Sequence, residues 1–142
     1  MKPIFRTDLS MAILTLVSLF TGIQIHYAGH FQSHEVWHNC SVVHTIANIA
    51  LLVIATIHIK QHRGFFKSLC NGKNISRRVK ITMLVTTSFV VVALSGICLL
   101  AFVKGSGSSA GLAHYIMGIV FSALGMGHLA KRWKVFKKGV VK

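Results

Sequence analysis

Acidic residues are almost missing from this chain: of its 142 residues only Asp8 and Glu35 carry a side-chain carboxylate, against 16 lysines and arginines. Charge of either sign is scarce, at 13%, while 53% of residues are hydrophobic and the mean hydropathy is +0.63. These figures exclude an ordinary soluble domain with a water-filled cleft, and the length leaves no room for several domains. Cysteine is sparse as well. Cys40, Cys70 and Cys98 form no CxxC or CxxCH, so the chain has no dithiol redox motif and no site for covalent c-type haem. A Walker A loop and a GxGxxG turn are also lacking, which removes the common nucleotide sites. The segment 105–109, GSGSS, reads as a short flexible connector.

What the chain does have is length without charge. Leu9–His34, Val36–Ile59, Ile81–Val103 and Gly105–Ala130 contain no Lys, Arg, Asp or Glu. Each accommodates the ~20 apolar residues that cross a ~30 Å hydrocarbon layer as a helix. The predicted spans are 9–27, 37–60, 81–103 and 111–131. The first is read as a retained span, since it is longer than a signal-peptide core and His26 stands where a cleavage site needs a small residue. Fifteen of the sixteen basic residues fall before the first span, between the second and third, or after the fourth; Lys104 alone falls on the other side. The positive-inside rule then places both termini and the 61–80 segment in the cytoplasm, with 28–36 and 104–110 outside. The net charge of +14 is thereby explained by topology and lipid headgroups, and nucleic acid is not needed as a partner.

The chain also repeats itself. The shift that lays His44 over His114 aligns 44–68 with 114–138, with identities at His44/His114, Ile46/Ile116, Ile49/Ile119, His58/His128, Phe66/Phe136 and Lys67/Lys137. Upstream, Thr21-Gly22-Ile23 matches Ser95-Gly96-Ile97. Histidine inside a membrane span is rare and is retained for function, so two pairs in register carry more weight than the isoleucines. The expected fold is all-α, an integral-membrane four-helix bundle forming one domain over 1–142. Two repeated transmembrane hairpins build it, over about 1–70 and 75–140, with both termini cytoplasmic.

The interval from His44 to His58 is the same as that from His114 to His128. On a helix it amounts to ~21 Å of rise and nearly four turns, so both rings leave one face. The second and fourth spans run in the same direction, and parallel packing sets His44 level with His114 and His58 level with His128. One pair of imidazoles is too few for a closed zinc site, and neighbouring positions on these helices add no Cys, Asp or Glu. Two imidazoles do suffice as the axial ligands of a haem, and two such pairs describe an electron path across the bilayer. His62 is a rival to His58, but its repeat counterpart is Arg132, which cannot ligate iron. Gly22, Gly96, Gly118 and Gly125 would let helices or a flat macrocycle approach the backbone, and His62, Arg63 and Arg132 could meet the propionates of an inner haem.

Outside, His26, His30, His34 and His38 are spaced by four, a metal-binding stripe if one helix ran through them. Gly29 and the reversal between the first two spans are expected to break it, leaving His34 and His38 on the first turns of the second span. His34, Glu35, Trp37 and His38 then form a candidate quinone or partner site, with histidines able to take protons near neutral pH.

Taken together, the helix-1 TGI, HEVWH followed by the His44–His58 spacing, and the His114–His128 spacing with its basic-aromatic tail resemble the four-helix di-haem b-type cytochromes, the small bacterial cytochrome b-like membrane domains most of all. The resemblance implies two haems b held without covalent attachment by His44, His58, His114 and His128. It also implies a multi-pass protein of the bacterial cytoplasmic membrane exchanging electrons with quinone and a membrane or periplasmic redox partner. Bis-His iron has no open position, so an electron carrier or oxidoreductase subunit is expected rather than a stand-alone enzyme. Two alternatives are a haem enzyme oxidising superoxide at the outer face and a protein holding divalent metal on its histidines. The second lacks the intramembrane carboxylates that a cation path would use.

Overall fold

The computed structural model describes residues 3–31, 34–70, 77–103 and 108–131. These fold into five helices: α1 Pro3–Phe31, α2 His34–Gln61, α3 Arg63–Cys70, α4 Arg77–Phe102 and α5 Ser109–Lys131. Four of them, all but α3, are long and apolar enough to cross a membrane. Each leaves every interior backbone N–H and C=O bonded within its own segment, the condition that lipid imposes on any spanning element. Glu35 in the first turn of α2, and Lys60 and Lys131 in the last turns of α2 and α5, have signs that suit the helix dipole.

The helices run longer than the predicted spans. α1 starts at residue 3 rather than 9 and continues to 31 rather than 27; α4 starts at 77 rather than 81. Charge marks the edge of the hydrocarbon, whereas the helix continues through the headgroup layer, where long basic side chains reach water. Gly29 does not break α1, because one glycine costs a helix only about 1 kcal/mol and the long apolar run before it holds the last turns in register. The 61–80 segment contains a helix that the spans alone do not predict. In α3, Arg63, Gly64 and Lys67 are exposed while Phe65 and Phe66 are half-buried, with their rings 5.3 Å apart.

Very little of this surface is hidden within the chain. Leu51 is the one large side chain almost fully buried among the described residues, at 2% exposure, whereas Leu100 and Phe102 are 70% and 83% exposed. Outward-facing apolar rows on every long helix suit lipid, which solvates them as well as a protein core would. The close packing is between α1 and α2, between α4 and α5, and between α1 and α5. Polar bonds tie the first pair at two depths: Ser18 Oγ donates to Asn48 Oδ1 at 3.0 Å, and Gln61 Nε2 to Thr7 Oγ1 at 3.1 Å. In the second pair Phe89 meets Phe121 at 5.5 Å.

Direct parallel packing of α2 on α5, expected from the repeat, is not how the described residues are arranged. The two helices hardly touch and instead face each other across a cavity. Its lining includes Trp37 and Ser41 near the start of α2 and Ser109 and Gly111 near the start of α5.

Because Leu51 is enclosed by protein and Leu100 is not, truncation should discriminate between them. Leu51→Ala is expected to cost about 2 kcal/mol or more and to lower Tm in detergent. Leu100→Ala is expected to leave Tm unchanged.

Candidate functional site

The cavity between the helix pairs has a volume of about 680 Å³ and a mostly apolar lining drawn from all four long helices. It falls in the size range of sites for cofactors and drug-sized ligands. His44 and His114 enter it from α2 and α5, with ring centroids 6.3 Å apart and planes at 89°. Two metal–nitrogen bonds of about 2.0 Å plus the two half-rings give about the same separation, so the spacing suits one metal atom between the imidazoles.

How each ring is held decides which nitrogen is available. The Nδ1 atom of His44 lies 3.1 Å from the Ser18 carbonyl oxygen and 3.0 Å from Thr21 Oγ1. A carbonyl can only accept, so Nδ1 carries the proton. The Thr21 hydroxyl is already donating to the Val17 carbonyl at 2.7 Å and so accepts from the ring. On the other hairpin, Ser95 Oγ donates to the Val92 carbonyl at 2.9 Å and lies 2.8 Å from His114 Nδ1, which again makes the ring nitrogen the donor. Both networks assign the tautomer in which Nε2 holds a lone pair, the form that ligates a metal, with the other nitrogen tied down by a neighbouring group.

A glycine follows each hydroxyl, and its absent side chain is used. A Cβ at Gly22 would stand 3.3 Å from His44 Cε1, and one at Gly96 would stand 3.1 Å from His114 Cε1. These glycines therefore admit the imidazoles themselves, not a neighbouring helix backbone. Gly118, also on the cavity wall, has nothing within 4 Å of where a Cβ would be, as does Gly125 outside it. Open space beside Gly118 suits a flat group lying along α5.

At the opposite end of α2 the surroundings change. His58 Nδ1 is 2.9 Å from Asp8 Oδ1, close enough for an ion pair but without the alignment of a ring N–H hydrogen bond. The His58 ring also lies 4.6 Å from that of His62, and donor atoms of Asp8, His58 and His62 all fall within 4.8 Å of one another. The expectation that no carboxylate adjoins these histidines is corrected here: Asp8 comes from α1, and a search along α2 alone could not find it. His128 is half-buried toward the C-terminal end of α5, the far end of the helix from His114. Arg63 is exposed at the start of α3, and Arg132 lies outside the described residues, as does Lys104.

The outer candidates divide. Trp37 lines the cavity mouth and has His34 against it, centroids 5.7 Å apart, whereas His34, Glu35 and His38 are exposed on the first turns of α2. His26 belongs to a different contact, stacking on Tyr115 of α5 at 4.1 Å and 11°, with both rings on the cavity wall. α1 carries His26 and His30, and α2 carries His34 and His38, so the spacing of four does not form a continuous stripe. Tyr115 gives no signal in the sequence beyond its place next to His114.

Comparison of the chain with protein-family models, with curated proteins and with solved structures finds no match to any of them. Its chemistry rests on its own residues.

The tautomer assignment can be checked without any ligand. In ¹⁵N-histidine-labelled protein, His44 and His114 are expected to show a protonated Nδ1 and an unprotonated Nε2. Ser95→Ala is expected to mix the tautomers at His114 and leave those at His44 alone.

Proposed function

We propose that this chain is a membrane electron carrier of the di-haem b-type cytochrome kind. Four helices cross the bacterial cytoplasmic membrane as two repeated hairpins, α1–α2 and α4–α5, with both termini on the cytoplasmic side. One haem b is held by His44 and His114 toward the outer face, and a second by His58 and His128 toward the cytoplasm. The observation that carries the reading is the outer pair: two imidazoles 6.3 Å apart across an apolar cavity, each fixed through Nδ1 so that Nε2 is free for a metal.

A haem b held by these histidines would supply a one-electron couple for electron transfer. Everything else is done by the chain. The spacing of the histidines along α2 and α5 would put the two levels ~21 Å apart by helical rise. Thr21 and Ser95 keep the ligand tautomers, and Gly22 and Gly96 keep room for the rings. Arg63, exposed at the start of α3, suits propionates there, and Arg132 follows α5 directly in sequence. At the outer mouth, His26, Tyr115 and Trp37 adjoin the cavity, with His34, Glu35 and His38 beside them as groups able to exchange protons with a quinol. Quinone and a membrane or periplasmic redox protein are the partners this arrangement suits.

One observation favours a second reading. Asp8, His58 and His62 offer the three donors of an open divalent-metal site, which would make the inner end a metal centre instead of a haem centre.

Substitution separates the readings. Expressed with ample haem supply, the protein is expected to show b-type reduced-minus-oxidised bands. His44→Ala and His114→Ala should remove the same component, and His58→Ala and His128→Ala the other. Loss of one component by both His44→Ala and His128→Ala would refute the pairing. If His62→Ala removes bound zinc while His128→Ala removes no haem, the metal reading replaces the inner centre.

A further inference from the structure

We infer that Asp8, His58 and His62 form a three-ligand site for a late first-row divalent cation of the zinc class, and that the cation clasps the start of α1 to the turn between α2 and α3. The inference needs no haem at either level. It rests on the second reading above and deepens it by assigning the class of cation and what its binding does to the fold.

Two of the ligands come from one helical turn. The His62 N–H still bonds to the His58 carbonyl at 3.1 Å, so the two side chains leave one face a turn apart, and their ring centroids are 4.6 Å apart. The third ligand comes from α1, where Asp8 stands within a spanning helix as one of two acids in the chain. An ionisable group there is costly and is kept for a purpose. Neighbouring residues make the frame that holds the two helices together: Gln61, next to His62, donates through Nε2 to Oγ1 of Thr7, next to Asp8, at 3.1 Å.

The polar atoms at this corner do not satisfy one another. Asp8 Oδ1 and His58 Nδ1 are both buried and 2.9 Å apart, yet neither has a hydrogen-bond partner, because the oxygen lies off the line along which the ring nitrogen directs a proton or lone pair. Gln61 Oε1 is a third such atom. A simple ion pair would align the ring N–H on the carboxylate. Two ligands of one metal are offset in this way, since each points at the metal and not at the other. Zinc bonds of about 2.0–2.2 Å put neighbouring ligand atoms about 3 Å apart. The Asp8–His58 separation already has this value, and all three donors fall within 4.8 Å of one another, within reach of a rotation of the His62 side chain.

The donor set selects the cation. Two imidazoles with one carboxylate suit zinc and the late first-row metals, whereas Mg²⁺ and Ca²⁺ take mostly oxygen. Lys60, Arg63 and Lys67 oppose a cation at this end, but all three are exposed and screened by water and salt, whereas Asp8 Oδ1 is buried. His62 is also where α2 gives way to α3, its carbonyl accepting from the Phe65 N–H at 2.9 Å. A cation on the His62 ring therefore holds the first turn of α3 as well as the start of α1, and by binding the folded chain it raises stability.

The test is equilibrium dialysis of the purified full-length protein in detergent against Zn²⁺ after treatment with a chelator, with zinc and haem counted per chain and Tm measured with and without zinc. The wild type is expected to retain tightly held zinc and to gain Tm from it. Asp8→Asn and His62→Ala are each expected to weaken that binding about tenfold or more, since loss of an outer partner alone costs a metal site about that much, and to abolish the gain in Tm. His38→Ala, at the other end of α2, should change neither. Zinc lost in His58→Ala but kept in both Asp8→Asn and His62→Ala, or displaced by equimolar Mg²⁺, would overturn the inference and leave a metal centre at the inner end. Wild-type protein that takes up no zinc, or from which His128→Ala removes a haem, would instead refute the reading on which it rests.

Discussion

A neutral imidazole in a membrane span must satisfy its ring N–H or lose several kilocalories, and the rest of this site depends on where that hydrogen bond is made. His44 and His114 both make it sideways, within their own hairpins, to acceptors on α1 and α4. The second nitrogen of each ring is then left for the space between the hairpins. Had either ring reversed its tautomer, the cavity would face a donor and no metal could be held there. The two small devices that set this, a hydroxyl and the glycine after it, lie on α1 and α4, not on the helices that carry the histidines.

The same constraint explains why α2 and α5 stand apart. Their facing surfaces are joined by a cavity instead of by side-chain interdigitation, and the tight contacts are within each hairpin and between α1 and α5. In water such a gap would collapse, because burial of its apolar walls would drive the helices together. In lipid that drive is absent, and packing and polar bonds such as Ser18–Asn48 and Gln61–Thr7 decide which faces meet. A bundle held in this way can keep a slot open for a flat ligand.

Much of this is legible in the residues. Charge-free length predicts four long helices, and the shared histidine spacing predicts that His44 and His114 come together, which they do at 6.3 Å. Gly22 and Gly96 stand out as a weak match between halves, yet their role is to admit an imidazole, which only three-dimensional placement reveals. Helix ends are less legible, because charge reports hydrocarbon depth and not where backbone hydrogen bonding stops. Gly29 looks like a breaker in sequence, but its modest cost lets α1 run through it. Asp8 is hidden from a spacing argument, which sees one helix at a time, because its partner His58 is far off in sequence on another helix.

The central claim is that two imidazoles from α2 and α5 close on one iron from opposite sides with their planes crossed. Electron paramagnetic resonance of the oxidised, purified protein tests it most directly. Two low-spin ferric haems per chain are expected, the outer one giving the strongly anisotropic signal of perpendicular axial imidazoles, as the 89° between the rings of His44 and His114 requires. A high-spin ferric signal, or a preparation without iron porphyrin, would contradict it.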